Sequence, residues 1–325
     1  MGAIVRIPLR MTVAVRSRLP DGHTRSKGES RMNRRKWRDA AAGYLFMAPT
    51  LLVIGVFLLA PILYALYLSF HKVQLLGGVS YRFVDIANYT RMAADSRMWI
   101  ALYNTFEYAL IVVPLQTMLA IVLASVLNSK IRGRYAFRVL YFIPTVTSSA
   151  VLTLIFMWIF KTDGLLNDFL ALFGFKGYNW LGDPKVALKG IMMMNIWSTA
   201  PYYMVIYLAA LQDIPDSLYE AAEIDGAKTL RKFWHITLPM LKPVTFFVVT
   251  MGIIGTFQLF DQAYIFSNGS GGPNNSTLTV VLLVYQYAFK NLDMGYASAL
   301  AVMLAAVIMT ITVIQRRLFG EEKLY

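Results

Sequence analysis

YLFMAPTLLVIGVFLLAPILYALYLSF, residues 44–70, runs without one charged side chain. A bilayer core about 30 Å thick takes about 20 residues of helix, so this stretch is long enough to cross it. Five further runs of that kind follow, near 104–128, 139–160, 189–211, 244–266 and 295–314. None alternates polar with apolar residues, and all exceed the length of a barrel strand. The expected fold is therefore all-α, a polytopic membrane protein with six transmembrane helices over residues 40–325. Pro61, Pro114, Pro144 and Pro201 fall inside the runs and predict kinks, because an interior proline frees a backbone carbonyl.

Composition agrees with that reading: of 325 residues 57% are hydrophobic, 14% aromatic and only 15% charged. The net charge of +13 would suggest nucleic acid in a soluble protein, but 11 of the 31 Lys and Arg precede residue 40. That segment, 1–39, reads as a disordered basic cytoplasmic tail. Arginines interrupt its apolar residues, so it lacks the core of a cleaved signal peptide. Met32, opening MNRRKWRDAAAGYLF, is a second candidate for the translation start. With no cysteine and three scattered histidines, His23, His71 and His235, no disulfide or metal site is expected.

Orientation follows from the Lys and Arg count on each side of the six runs. With the N-terminus inside, the inner segments hold 22 and the outer ones 9. Both termini are thus expected in the cytoplasm, and the loop between the fourth and fifth runs, 212–243, faces it too. In that loop Ser217 and Glu220 have capping-box spacing, placing a helix start at Asp216 or Ser217. Gly226 can take positive φ and stop the helix. A second helical stretch is predicted over 229–235, with Pro239 and Pro243 ending it. Leu218, Ala221, Ala222 and Ile224 or Asp225 give a short amphipathic helix with a small, smooth alanine patch, as a docking knob requires.

Glu220-Ala221-Ala222, Gly226 and Ile236-Thr237-Leu238-Pro239 stand at the spacing E-A-A, three residues, G, nine residues, I-x-L-P. This resembles the signature loop of permease subunits in ATP-binding-cassette (ABC) importers. The run at 44–70 and FDQAYIFSNGSGGPNNST, residues 260–277, are similar to carbohydrate-uptake permeases of the maltose, glycerol-phosphate and trehalose type. The resemblance covers roughly residue 38 onward. It departs from the family where T-x-G-G-P is usual and SNGSGGP stands here, with Gly271, Gly272 and Pro273 kept. It implies a type I importer permease fold whose coupling helix inserts into a separate ATPase. Glu220, Ala221, Ala222, Gly226, Ile236, Leu238 and Pro239 would carry that contact. It also implies a second permease as heterodimer partner, two ATPase subunits holding ATP and Mg, an extracytoplasmic solute-binding protein, and residence in a bacterial or archaeal cell membrane.

Polar residues inside the runs mark a candidate path, since each is costly in lipid. Asn195, Ser198 and Tyr202 share a face of the fourth run beside Trp197, and Gln258, Asp261 and Gln262 share one of the fifth. Thr145, Thr147 and Ser148 lie deeper, and Glu107 nearer the outer end. Amides, hydroxyls and a carboxylate beside aromatic rings suit a sugar. The chain has no G-x-x-x-x-G-K-[ST], H-E-x-x-H or G-x-S-x-G, so it is expected not to be an enzyme. The alternative is an ion-coupled secondary transporter using Glu107 and Asp261, against which the lack of an internal repeat weighs.

Overall fold

The computed structural model describes residues 40, 42–74, 78–129 and 133–319. The basic tail and Met32 lie outside the described residues. By chain contacts there are two units, Met1–Ile62 and Leu63–Tyr325.

Helix α1, Ala42–Ser69, belongs to the first unit up to Ile62. At Gly55–Leu59 it widens into a π turn, closed by the Ala60 N–H donating to the Gly55 carbonyl. Pro61 follows at once, so the expected disturbance takes the form of a wide turn just before the proline.

In the second unit a hairpin pairs β1, His71–Gln74, with β2, Ser80–Phe83, antiparallel and with His71 opposite Phe83. Helices α2, Ala87–Ala94, and α3, Ser96–Asn128, come next. The third expected run is two helices, α4, Arg134–Val146, and α5, Ser149–Ile159, bent by 100°. The kink expected at Pro144 is a full break in the helix, displaced to Thr147 and Ser148, which have ψ 142° and 133°. After α6, Leu165–Leu172, α7 runs over Ala187–Gln212. Then come α8, Asp216–Ile224; α9, Thr229–Lys232; a π turn, Phe233–Thr237; and α10, Leu238–Met240. Helices α11, Lys242–Phe257, α12, Asp261–Phe266, α13, Val280–Tyr285, and α14, Met294–Phe319, complete the described chain.

Helices therefore occupy all six expected stretches. Among the described residues four are long and apolar enough to cross a membrane, Ala42–Ser69, Ser96–Asn128, Lys242–Phe266 and Met294–Leu318. The bent α4–α5 pair makes a fifth if taken together. Helix α7, with 26 residues, has the length, but Lys189, Asn195, Ser198 and Thr199 make it less apolar.

Two hydrophobic cores lie along the second unit. One gathers the first halves of α3 and α7 with α12, α13 and α14 around Tyr108, Ile191, Phe257, Leu282 and Tyr296. The other gathers the last halves of α3 and α7 with the start of α11 around Ala124, Met204, Tyr207, Leu211 and Leu241. The loop between α7 and α11 sits on the second core through Tyr219, Phe233, Ile236 and Leu238.

Candidate functional site

The α8–α10 loop is built on a glycine. Gly226 has φ +75°, its N–H donates to the Glu223 carbonyl at 2.9 Å, and the Ala227 N–H donates to Ala222 at 2.8 Å. These two bonds make a Schellman motif, which closes α8 where the sequence predicted. The start falls at one of the two expected residues, but its capping differs. Helix α8 begins at Asp216 with Pro215 as N-cap and no side-chain capping bond, so the Ser217–Glu220 capping box does not form. The fixed φ of proline serves that turn instead. Nor do the prolines end the second stretch. A π turn at Phe233–Thr237 absorbs the missing donor of Pro239, and Pro243 sits in the first turn of α11.

Two side-chain rungs join the arms of this helix–turn–helix. The hydroxyls of Tyr219 and Thr237 lie 2.9 Å apart, with Thr237 buried. Lys232 Nζ reaches Glu223 Oε1 at 2.5 Å, and that ammonium holds the Glu223 carboxyl below its ordinary range. A polar groove of about 600 Å³ separates the element from the end of α3, lined by Ser125, Asn128, Tyr219, Glu223 and Thr229 among others.

The seven predicted coupling residues divide by burial. Ile236 and Leu238 pack on the second core and anchor the element. Ala222 is half-buried, while Glu220, Ala221, Gly226 and Pro239 are exposed. Around them stand apolar side chains with large exposure: Ile224 at 87%, Leu230 at 70% and Trp234 at 57%. Leu230 and Trp234 escaped sequence reasoning because a bulky residue in a loop carries no periodic signal.

The path candidates fare unevenly. Helix α7 is continuous, with Trp197 and Tyr202 exposed and Asn195 and Ser198 half-buried. Trp197 packs at 5.5 Å (ring centroids) on Phe156 of α5. On the fifth run the shared face is corrected, because the helix breaks between Phe257 and Asp261. The Leu259 carbonyl freed there accepts from Thr279 Oγ1 at 2.8 Å. Gln258 and Asp261 are exposed and Gln262 half-buried. Helix α12 packs against both α5 and α7, bringing the elements together, though no hydrogen bond joins the two sets. Glu107 is half-buried. Thr147 lies at the α4–α5 break with its hydroxyl on the Ile143 carbonyl at 2.8 Å.

At the far end of the second unit the chain is tied by charge. Asp95 caps α3 through the Arg97 N–H at 2.9 Å and accepts from Tyr287 and Tyr296 at 3.0 and 2.8 Å. Burial pushes its carboxyl up, but these donors outweigh that and hold it below its ordinary value. Arg91 pairs with Asp293 at 2.6 Å and lies 4.1 Å from the Tyr296 ring centre. Arg97 bonds Gln286, whose amide donates to the carbonyls of Gly269 and Ser270. The SNGSGGP segment is thereby strapped down. None of these ties was predicted.

With this geometry in hand, comparison with known proteins gives a consistent picture. The family described as "Binding-protein-dependent transport system inner membrane component" matches residues 116–320. The chain is 37% identical over 298 residues to the lactose transport system permease protein LacF of Rhizobium radiobacter, covering 90% of this chain and 99% of that one. It is 38% identical over 299 residues to the arabinooligosaccharides transport system permease protein AraP of Bacillus subtilis, covering 88% and 93%. It is also 32% identical over 287 residues to the trehalose/maltose transport system permease protein MalF of Thermococcus litoralis, covering 86% and 94%. A chain from the crystal structure of a bacterial alginate ABC transporter with an alginate pentasaccharide-bound periplasmic protein superposes with a TM-score of 0.76. It covers 88% of this chain and 99% of that one at 19% identity, a likeness of fold.

Proposed function

The chain belongs to the binding-protein-dependent transport inner-membrane components, and on that premise we propose that it forms the translocation path of a sugar importer, driven by a separate ATPase. The observation that carries the coupling half is the α8–α10 knob. A Schellman turn and two rungs fix it, the half-buried Ile236 and Leu238 seat it, and Ile224, Leu230 and Trp234 remain exposed. Exposed apolar side chains on a rigid, polar-rimmed projection suit a protein partner. The partner is the ATPase, which holds ATP and Mg; this chain has no phosphate-cradling motif.

A second, different permease completes the path, two ATPase subunits close beneath the pair, and an extracytoplasmic binding protein delivers the solute. The excess of Lys and Arg sets both termini and the knob in the cytoplasm. Closure of the ATPases moves the knob, and the movement reaches α7 and α11 through the second core. The solute class rests on side chains: Trp197 and Tyr202 offer ring faces to sugar C–H groups, while Asn195, Ser198, Gln258, Asp261 and Gln262 offer partners to hydroxyls.

The chain has no cysteine, so one introduced thiol gives an unambiguous cross-link. Ala221→Cys, placed in the complex purified from native membranes, is expected to cross-link to an ATPase subunit, with a second permease recovered alongside. Recovery of this chain alone, folded and unlinked, would sink the proposal.

A further inference from the structure

Helix α3 carries one fully buried carboxamide, Gln116, 2% exposed in the middle of a long apolar helix. Its oxygen lies 2.7 Å from Thr199 Oγ1 on α7. Thr199 Oγ1 is in turn 2.7 Å from the Asn195 carbonyl and 3.4 Å from Asn195 Oδ1, one turn back on the same helix. Gln116 Nε2 has no hydrogen-bond partner among the described residues and faces α11 at Gly252. A Cβ on Gly252 would come within 2.8 Å of that nitrogen, so the glycine is what admits the amide between three helices.

As packing alone this arrangement is a poor choice. A leucine would fill the same space without leaving a buried N–H unsatisfied. The Thr199 hydroxyl has one proton, for which the Gln116 oxygen and the Asn195 carbonyl compete at 2.7 Å, with Asn195 Oδ1 farther off at 3.4 Å. What the amide adds is direction. It draws the Thr199 hydroxyl between α3 and the Asn195 side chain, and Asn195 is half-buried with the exposed Trp197 two residues on. Partners of this kind fix the orientation of a polar group that meets a ligand.

We propose that Gln116 is a positioning residue: through Thr199 it sets which way the Asn195 side chain is presented to the solute, and so tunes affinity and selectivity. The inference rests on the reading of Asn195 as a path residue, and the test separates the two. The full complex, with its ATPases and binding protein, is assayed in proteoliposomes with labelled lactose, maltose, trehalose and an arabino-oligosaccharide. Gln116→Leu and Thr199→Val are each expected to raise KM for uptake about three- to tenfold, the worth of one lost hydrogen bond, with kcat within twofold. The order of preference among the sugars shifts with it. The double variant is no worse than either single one, and Thr199→Ser restores the wild-type KM.

A structural role alone would instead lower kcat or the amount of complex and leave KM and sugar preference untouched; that result overturns the inference. If Asn195→Ala raises KM while Gln116→Leu and Thr199→Val do not, the inference falls and the path stands. If Asn195→Ala is silent, the reading beneath falls and takes the inference with it.

Discussion

The two ends of the second unit are held by different means. At the Asp95 end, residues far apart in sequence are joined by charge-assisted bonds: Asp95 to Tyr287 and Tyr296, Arg91 to Asp293, Arg97 to Gln286. At the α8–α10 end the polar ties are local, Tyr219 to Thr237 and Glu223 to Lys232, and the attachment to the helices is hydrophobic. Long-range polar ties hold several elements in one arrangement, because each bond demands a direction. Apolar seating permits sliding. The first end is built as a frame, and the second as a locally braced part on an apolar seat.

Breaking the knob while sparing the frame gives the largest expected effect. Gly226→Asp puts a charged side chain in open space at φ +75°, a conformation that costs most residues about 1–2 kcal/mol and Asp less, so the change falls on the docking face more than on the fold. Uptake in proteoliposomes is expected to fall at least tenfold, with the ATPase still recovered in part; Glu220→Lys is expected to behave alike. Normal uptake in either variant would remove the coupling role.

Breaking the frame has a different signature. Gly295, at the start of α14, lies so close to β1 that a Cβ there would collide with the His71 carbonyl oxygen. Backbone cannot yield as a side chain does, so Gly295→Ala is expected to destabilise by about 1–3 kcal/mol. It should appear as a lower Tm and less protein in the membrane, with the uptake-to-hydrolysis ratio unchanged.

A milder break uses pH. Because the folded Asp95 carboxyl titrates below its unfolded value, its stabilisation is full above about pH 4 and is lost as pH falls through the folded value. Asp95→Asn is expected to cost about 1–3 kcal/mol at pH 7, the loss of a charged acceptor, and to flatten the acid limb of a Tm-against-pH curve. An unchanged acid limb would place the Asp95 contribution elsewhere.

The smallest effect sharpens the comparison. The Glu223 carboxyl is also held low, by Lys232, so its contribution too is present at neutral pH and fades in acid, but the carboxyl itself faces solvent. Exposed pairs add little and are screened by salt. Glu223→Gln is expected to leave Tm unchanged within error, with at most a small, salt-sensitive loss of coupling. A large fall in Tm would mean that this end, too, depends on polar ties.

What the sequence disclosed follows the same division. Apolar run length placed all six helical stretches, and local spacing placed the Gly226 turn, since each depends on neighbours within a few residues; Ile236 and Leu238, expected in the docking contact, pack on the second core instead. The break after Phe257 was hidden because its compensating donor, Thr279, lies 20 residues away. Arg91 and Asp293, 202 residues apart, look like two ordinary loop charges. The capping box failed because Pro215 already held the turn that Ser217 would have made. The 100° bend after Pro144 exceeds what a proline alone implies, and needed two extended residues that nothing in TVTSS announces.

The π turns before Pro61 and Pro239 have a consequence for anyone substituting residues by helical period. A five-residue turn holds one residue more than the regular repeat, so every side chain beyond it is displaced by about 100° around the axis. A wheel drawn straight through 229–240 therefore assigns Pro239 and Met240 to the wrong side. Cutting one residue from Phe233–Thr237 would erase that offset and rotate the anchored half against the presented half.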